Sequence, residues 1–101
     1  MSFVRRSNEV SVNRKQMFGG AGEVEMHQLL RGADEMYGKG RLFNHVVLEP
    51  GTELGWHVHE GDGETYFIIR GEGEYNDNGT ITTVAAGDVT FVGDGEGHSI
   101  K

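Results

Sequence analysis

Turn signals interrupt this chain so often that they limit its fold before any other property does. Seventeen of the 101 residues are glycine and only one is proline, against a typical glycine usage of about 7%. The glycines are spread along the whole chain, which reads as frequent tight turns, not as a disordered tract. Segments this short suit strands, which are complete in about 4–8 residues, better than helices.

The segments between the turns carry strand chemistry. Val24–Leu30 (VEMHQLL) fits a strand or a short helix, with strand preferred. Residues 42–49 (LFNHVVLE) are rich in β-branched and aromatic side chains and end at Pro50-Gly51. Residues 56–59 form a short extended piece, and 65–70 (TYFIIR) are the strongest strand, continued by 72–75 after Gly71. Asn78-Gly79 is a type I′ hairpin signal. Thr80–Ala85 returns antiparallel, Val89–Val92 follows, and residues 93–97 turn again before His98. Short strands at near-regular spacing predict a single all-β domain over residues 1–101, a sandwich or barrel. The first 22 residues have no clear place in it.

Sixteen acidic against nine basic residues give a formal charge of −7 and a pI near 5.1. This balance argues against nucleic acid and against an anionic membrane surface, both of which select clustered basic residues. Absence of cysteine excludes disulfides and thiolate metal sites. The first ten residues lack the apolar core of a signal peptide, and no apolar run approaches a membrane span, so a soluble cytoplasmic protein is expected.

Within GWHVHEGDGE, residues 55–64, two imidazoles and a carboxylate lie close together. On a strand His57 and His59 share one face, with Trp56 and Val58 on the other. The glycine-containing loop that follows can bring Glu64 round to them. Neutral imidazole and carboxylate both bind borderline or hard divalent metals. A lone His-x-His fits a polar surface strand equally well; the surrounding spacing decides between them.

From Gly51 the chain reads glycine, five residues, His57, one residue, His59, four residues, Glu64, six residues, Gly71. Further on come Gly87, DVTFV, Gly93, Asp94, Gly95, Glu96, Gly97 and His98. This arrangement resembles the two motifs of the cupin family over about half of the chain. It departs at Gly93, where the family has proline, and the asparagine of the second motif would fall past Lys101. The resemblance implies a double-stranded β-helix or jelly-roll barrel, mostly antiparallel. It also implies further strands after the second motif, and a sequence cut short near Lys101 is preferred over pairing supplied by the N-terminus or a partner.

Carried over residue by residue, the resemblance implies that His57, His59, Glu64 and His98 hold one divalent transition metal per chain: Mn, Fe, Ni, Cu or Zn. One or two coordination positions would stay open for a small-molecule substrate, as in a catalytic site and unlike a closed structural one. Asn44, which shares a face with Val46 and Leu48, and Tyr66, in parity with Glu64, are the candidate catalytic contacts; Asn44 fits equally as a buried amide satisfied by backbone, and Ile68, in the same parity as Tyr66, suits core packing. His27 and His45 match no ligand position and suit an outer face or a subunit contact. Trp56 and Phe91 read as packing groups, and Glu60, Asp62, Glu72, Glu74, Asp94 and Glu96 as solvated turns. GDGEG lacks the lysine and the helix of a phosphate loop, Asp77-Asn78-Gly79 lacks the remaining calcium ligands, and no acid is placed to complete a triad with Ser99 and His98.

Two functions are therefore expected. The first is a metal-dependent enzyme on a small oxygenated substrate, for which the resemblance allows dioxygenase, decarboxylase or sugar isomerase/epimerase types. The second is a non-catalytic module that binds a metal or small molecule. In either case the resemblance also implies a homodimer through an outer sheet face, for which His45, Val47 and residues of the N-terminal strand are the candidates.

Overall fold

The structure, a computed structural model, describes residues 1–101. It contains nine strands: β1 (Ser11–Lys15), β2 (Val24–Leu30), β3 (Phe43–Val47), β4 (Leu54–Val58), β5 (Glu64–Phe67), β6 (Glu72–Asp77), β7 (Thr80–Ala85), β8 (Val89–Val92) and β9 (Gly97–Ile100). Two single 3₁₀ turns, Ser7–Glu9 and Ala33–Met36, complete the regular structure. No helix is long and apolar enough to cross a membrane.

Every strand pairing is antiparallel, in the orders β1-β2-β3, β4-β9-β6-β7 and β5-β8. The all-β expectation holds, and Val24–Leu30 resolves as a strand. The N-terminal residues, unplaced by their composition, supply β1, which pairs with β2 along its full length from Ser11↔Gln28 to Lys15↔Val24.

Asn78 and Gly79 turn β6 into β7 with φ of 49° and 107°, the positive pair that a type I′ hairpin requires. The expected run from 65–70 into 72–75 does not continue. β5 ends at Phe67, and Ile68 is tied instead to the turn after β7, donating to Asp88 O (3.0 Å) and accepting from Gly87 N (2.8 Å). The chain then crosses at Gly71 into a different sheet. A local strand pattern carries no information about this change of partner, which arises from long-range pairing.

β9 runs between β4 and β6, with His57↔His98 on one side and Asp77↔His98 on the other. The last residues are therefore interior to a sheet, and His98 is fully buried. Twelve residues are buried, with Val24, Leu54, Tyr75, Val84 and Val92 as the apolar core. So small a core leaves the outer faces of all three sheets apolar in places. Trp56 (46% exposed) and Phe91 (67% exposed) are not interior packing groups. Strand alternation explains this: Trp56 and Phe91 face away from the side taken by His57 and by Thr90 and Val92.

Candidate metal centre

Three elements bring four side chains together. β4 carries His57, His59 lies one residue past its end, Glu64 opens β5, and His98 sits on central β9. The Nε2 atoms of His98, His59 and His57 lie 2.9, 3.1 and 3.4 Å from Glu64 Oε1. His98 Nε2 is 3.1 Å from His57 Nε2 and 3.3 Å from His59 Nε2. One ligand atom from each residue falls within 4.8 Å of all the others.

These spacings fit a shared ion. Donors about 2.1 Å from one metal are separated by about 3.0 Å at right angles and about 3.4 Å at tetrahedral angles. The contacts span that range. Lone pairs crowded this closely repel one another unless a proton or a cation lies between them.

The outer ring nitrogens are all engaged, and this aims the inner ones. His57 Nδ1 donates to Gly55 O (2.9 Å), and a carbonyl can only accept, so in the neutral ring Nε2 carries the lone pair. His59 Nδ1 donates to the Asp62 carboxylate (3.0 Å), whose second oxygen accepts from Arg41 (3.0 Å). His98 Nδ1 lies 2.7 Å from the Tyr75 hydroxyl, a contact in which Nδ1–H donates to the phenol oxygen when Nε2 serves as a ligand.

Burial disfavours the Glu64 carboxylate, yet when the ring nitrogens facing it carry protons in place of a metal, hydrogen bonds from His98 and His57 and the positive charges of His98 and His59 outweigh that cost and hold its pKa at about 2; a cation between the same groups would act in the same direction. It is therefore an anion at any ordinary pH. Burial, with Glu64 beside it, pushes the Tyr66 phenol well above its usual range, and burial likewise raises Tyr75. Both keep their protons.

Tyr66 stacks on His98 (centroids 4.7 Å apart, planes at 17°), and its hydroxyl is buried with no aligned hydrogen-bond partner. Asn44 lies opposite Gln28 on β3, and its Oδ1 is also buried without a partner. Thr90 Oγ1 is a third such atom, on the strand residue that faces Tyr66; it lies near enough to Tyr75 to offset part of the rise that burial imposes on that phenol, without a well-aligned bond. His27 and His45 stay outside the cluster and face each other across β2 and β3, with ring centroids 5.3 Å apart.

Several contributors were invisible in the sequence. Phe18 stacks on His57 (4.2 Å, 15°) from the N-terminal segment. That segment is strapped to β4 by Gly55 N→Met17 O (3.0 Å) and Glu53 N→Ala21 O (2.9 Å). The approach is so close that a β-carbon on Gly55 would lie 2.3 Å from Phe18 O. Three residues read as solvated turns are specific partners instead. Asp62 holds His59, Asp94 accepts from Gly61 N (2.7 Å), and Glu96 from Gly93 N (2.8 Å). His59-x-x-Asp62 and Gly93-x-x-Glu96 are close enough in sequence to have signalled their contacts, whereas Asp94 and Gly61 are far apart. A surface depression of about 430 Å³ is lined by Asp62 and Asp94 but by none of the four clustered residues.

The family model for the cupin domain matches residues 44–101. An oxalate-binding protein from Thermotoga maritima is 48% identical over 99 residues, covering 97% of this chain and 81% of its own length. A crystal structure from the same organism, described as a predicted oxalate decarboxylase, superposes with a TM-score of 0.91 at 47% identity, covering 98% of this chain and 86% of that one. A family match that spans all four clustered residues, an antiparallel β fold shared with a solved relative, and a His3Glu cluster that could hold a metal agree in one conclusion: the chain belongs to the cupin family.

Proposed function

We propose that this cupin binds oxalate, or a closely similar small dicarboxylate, through one divalent transition metal held by His57, His59, Glu64 and His98. The observation that carries the reading is the convergence of those four ligand atoms within 4.8 Å, in a chain 48% identical to an oxalate-binding protein. Four donors leave open positions on a six-coordinate ion such as Mn(II), Fe(II) or Ni(II). Such an ion, held by these residues, would supply a Lewis acid for the oxygens of the dianion.

The chain's own residues would then orient the remaining oxygens. Tyr66, kept protonated by burial with Glu64 beside it, has a hydroxyl without an aligned partner that can donate to a ligand. Asn44 has a buried amide atom without a partner, and its amide can turn to present N–H to an anion. An unpaired buried polar group costs about 1–3 kcal/mol, so a ligand that pairs these groups recovers that cost on binding.

Calorimetric titration of oxalate into protein loaded with Mn(II), and into protein stripped with a chelator, tests this. Binding only to the loaded form is expected, weakened in Y66F and N44A; equal binding to the stripped form refutes it.

A second reading follows from the solved relative's description. Decarboxylation of hydrogen oxalate breaks the C–C bond, releases CO2 and leaves the proton on the carbon of formate. Formate accumulating with CO2 from the metal-loaded protein would establish it, and stable binding with no product would leave the binding role alone.

A homodimer belongs to the same proposal. Phe67, Val89 and Phe91 stand exposed on one face of the β5–β8 pair, and Val12, His27 and His45 share a face of the β1-β2-β3 sheet. Light scattering on a sizing column checks it, and a monomer at high concentration refutes it.

A further inference from the structure

We infer that the three imidazoles are not equivalent: Asp62, steered by Arg41, is a positioning residue that makes His59 the strongest nitrogen donor of the centre. The inference rests on the metal reading above and adds to it a residue outside both motifs' ligand sets.

Each Nδ1 has a different kind of partner. His57 donates to the neutral carbonyl of Gly55, and His98 contacts the neutral phenol of Tyr75. His59 alone donates to a carboxylate, Asp62 Oδ1 at 3.0 Å. A carboxylate on the outer nitrogen fixes the ring's tautomer and raises the basicity of the inner nitrogen more than a neutral acceptor does. Arg41 Nη2 holds the other carboxylate oxygen at 3.0 Å and so sets the orientation of Asp62.

The backbone around His59 is secured without Asp62. His59 N donates to Glu96 O (3.0 Å), Gly95 N donates to His59 O (2.7 Å), and Asp94 accepts from Gly61 N. The loop's shape and the ring's tautomer therefore have separate causes. Replacing Asp94 loosens the loop but spares the ring contact, while replacing Asp62 removes the ring contact and leaves those backbone bonds in place.

The test uses the full chain loaded with Cu(II). Its affinity is measured by chelator competition, and the number of coupled nitrogens by electron paramagnetic resonance. Wild type should couple three nitrogens, one from each clustered histidine. D62A should bind about 10–100-fold more weakly and couple two. D62N, whose neutral amide oxygen still accepts from Nδ1, should fall between, and it carries the test if D62A does not fold. D94A should keep the nitrogen count of wild type.

Wild-type affinity and an undiminished nitrogen count in D62A would overturn the inference. So would equal losses in D62A and D94A, since these would reflect loop structure alone. Wild type that binds no metal would instead remove the underlying metal reading, and the two failures are distinguishable.

Discussion

Two phenols pack beside His98, and the structure requires their hydroxyl groups to have opposite effects on stability. Tyr75 is 2% exposed and its hydroxyl contacts Nδ1 of the fully buried His98 at 2.7 Å. Tyr75→Phe preserves the ring's volume and opens no appreciable cavity, so its cost is the polar group left behind. A buried ring nitrogen deprived of its partner costs about 1–3 kcal/mol. In a domain of this size that is about 5–20 °C in Tm. Tyr66 presents the reverse case, because its hydroxyl is already buried without an aligned partner. Tyr66→Phe removes an unsatisfied group and should leave stability unchanged or raise it.

The assay is urea unfolding of metal-free protein followed by circular dichroism, with the midpoint as readout and the slope as a check that the two-state comparison holds. Y75F should unfold at clearly lower urea than wild type, and Y66F at the same or higher urea. A loss in Y75F below about 0.5 kcal/mol, the scale of a neutral surface change, would refute the reasoning. So would a loss in Y66F as large as that in Y75F.

Two further outcomes follow from contacts away from the centre. Gly55→Ala would place a β-carbon 2.3 Å from Phe18 O and 2.9 Å from Gly20 N. It should cost about 2–4 kcal/mol in overpacking and displaced backbone hydrogen bonds and free Phe18 from His57; an unchanged urea midpoint would count against the close approach. Glu35 takes both Arg5 nitrogens at 3.0 and 2.9 Å, and the Arg5 hydrogen bonds, with one from Arg31 N, hold its pKa at about 2. A depressed carboxylate stabilises the fold fully above its ordinary value of about 4.3 and loses that contribution as pH falls toward 2. The Tm gap between wild type and E35Q should thus be open at pH 7 and close on acidification, whereas a gap that widens would contradict the ion pair.

How much of this was legible in the sequence depended on whether the cause was local. The Asn78-Gly79 turn could be read from two residues because the backbone geometry it demands is itself local. The spacing from His57 to Glu64 could be read because a short loop separates the two strands. His98 was placed by motif resemblance, since nothing near it announces that β9 will insert between β4 and β6. The roles of Tyr75 and Phe18 depend on strand adjacency and on the packing of the N-terminal strap, which lie far away in sequence. The exposure of Trp56 and Phe91 shows the remaining difficulty. Alternation assigns a side chain to a face, but only the assembled sheets determine whether that face is covered.

The central claim, that four side chains from three parts of the chain hold one divalent ion, is tested most directly by equilibrium dialysis of the purified protein against Mn(II) with elemental analysis of both compartments. One ion per chain in wild type, with binding lost or sharply weakened in both H98A and E64Q while each variant stays folded, is the predicted result. Wild type that retains no ion, or an H98A variant that retains it as tightly as wild type, would contradict the account.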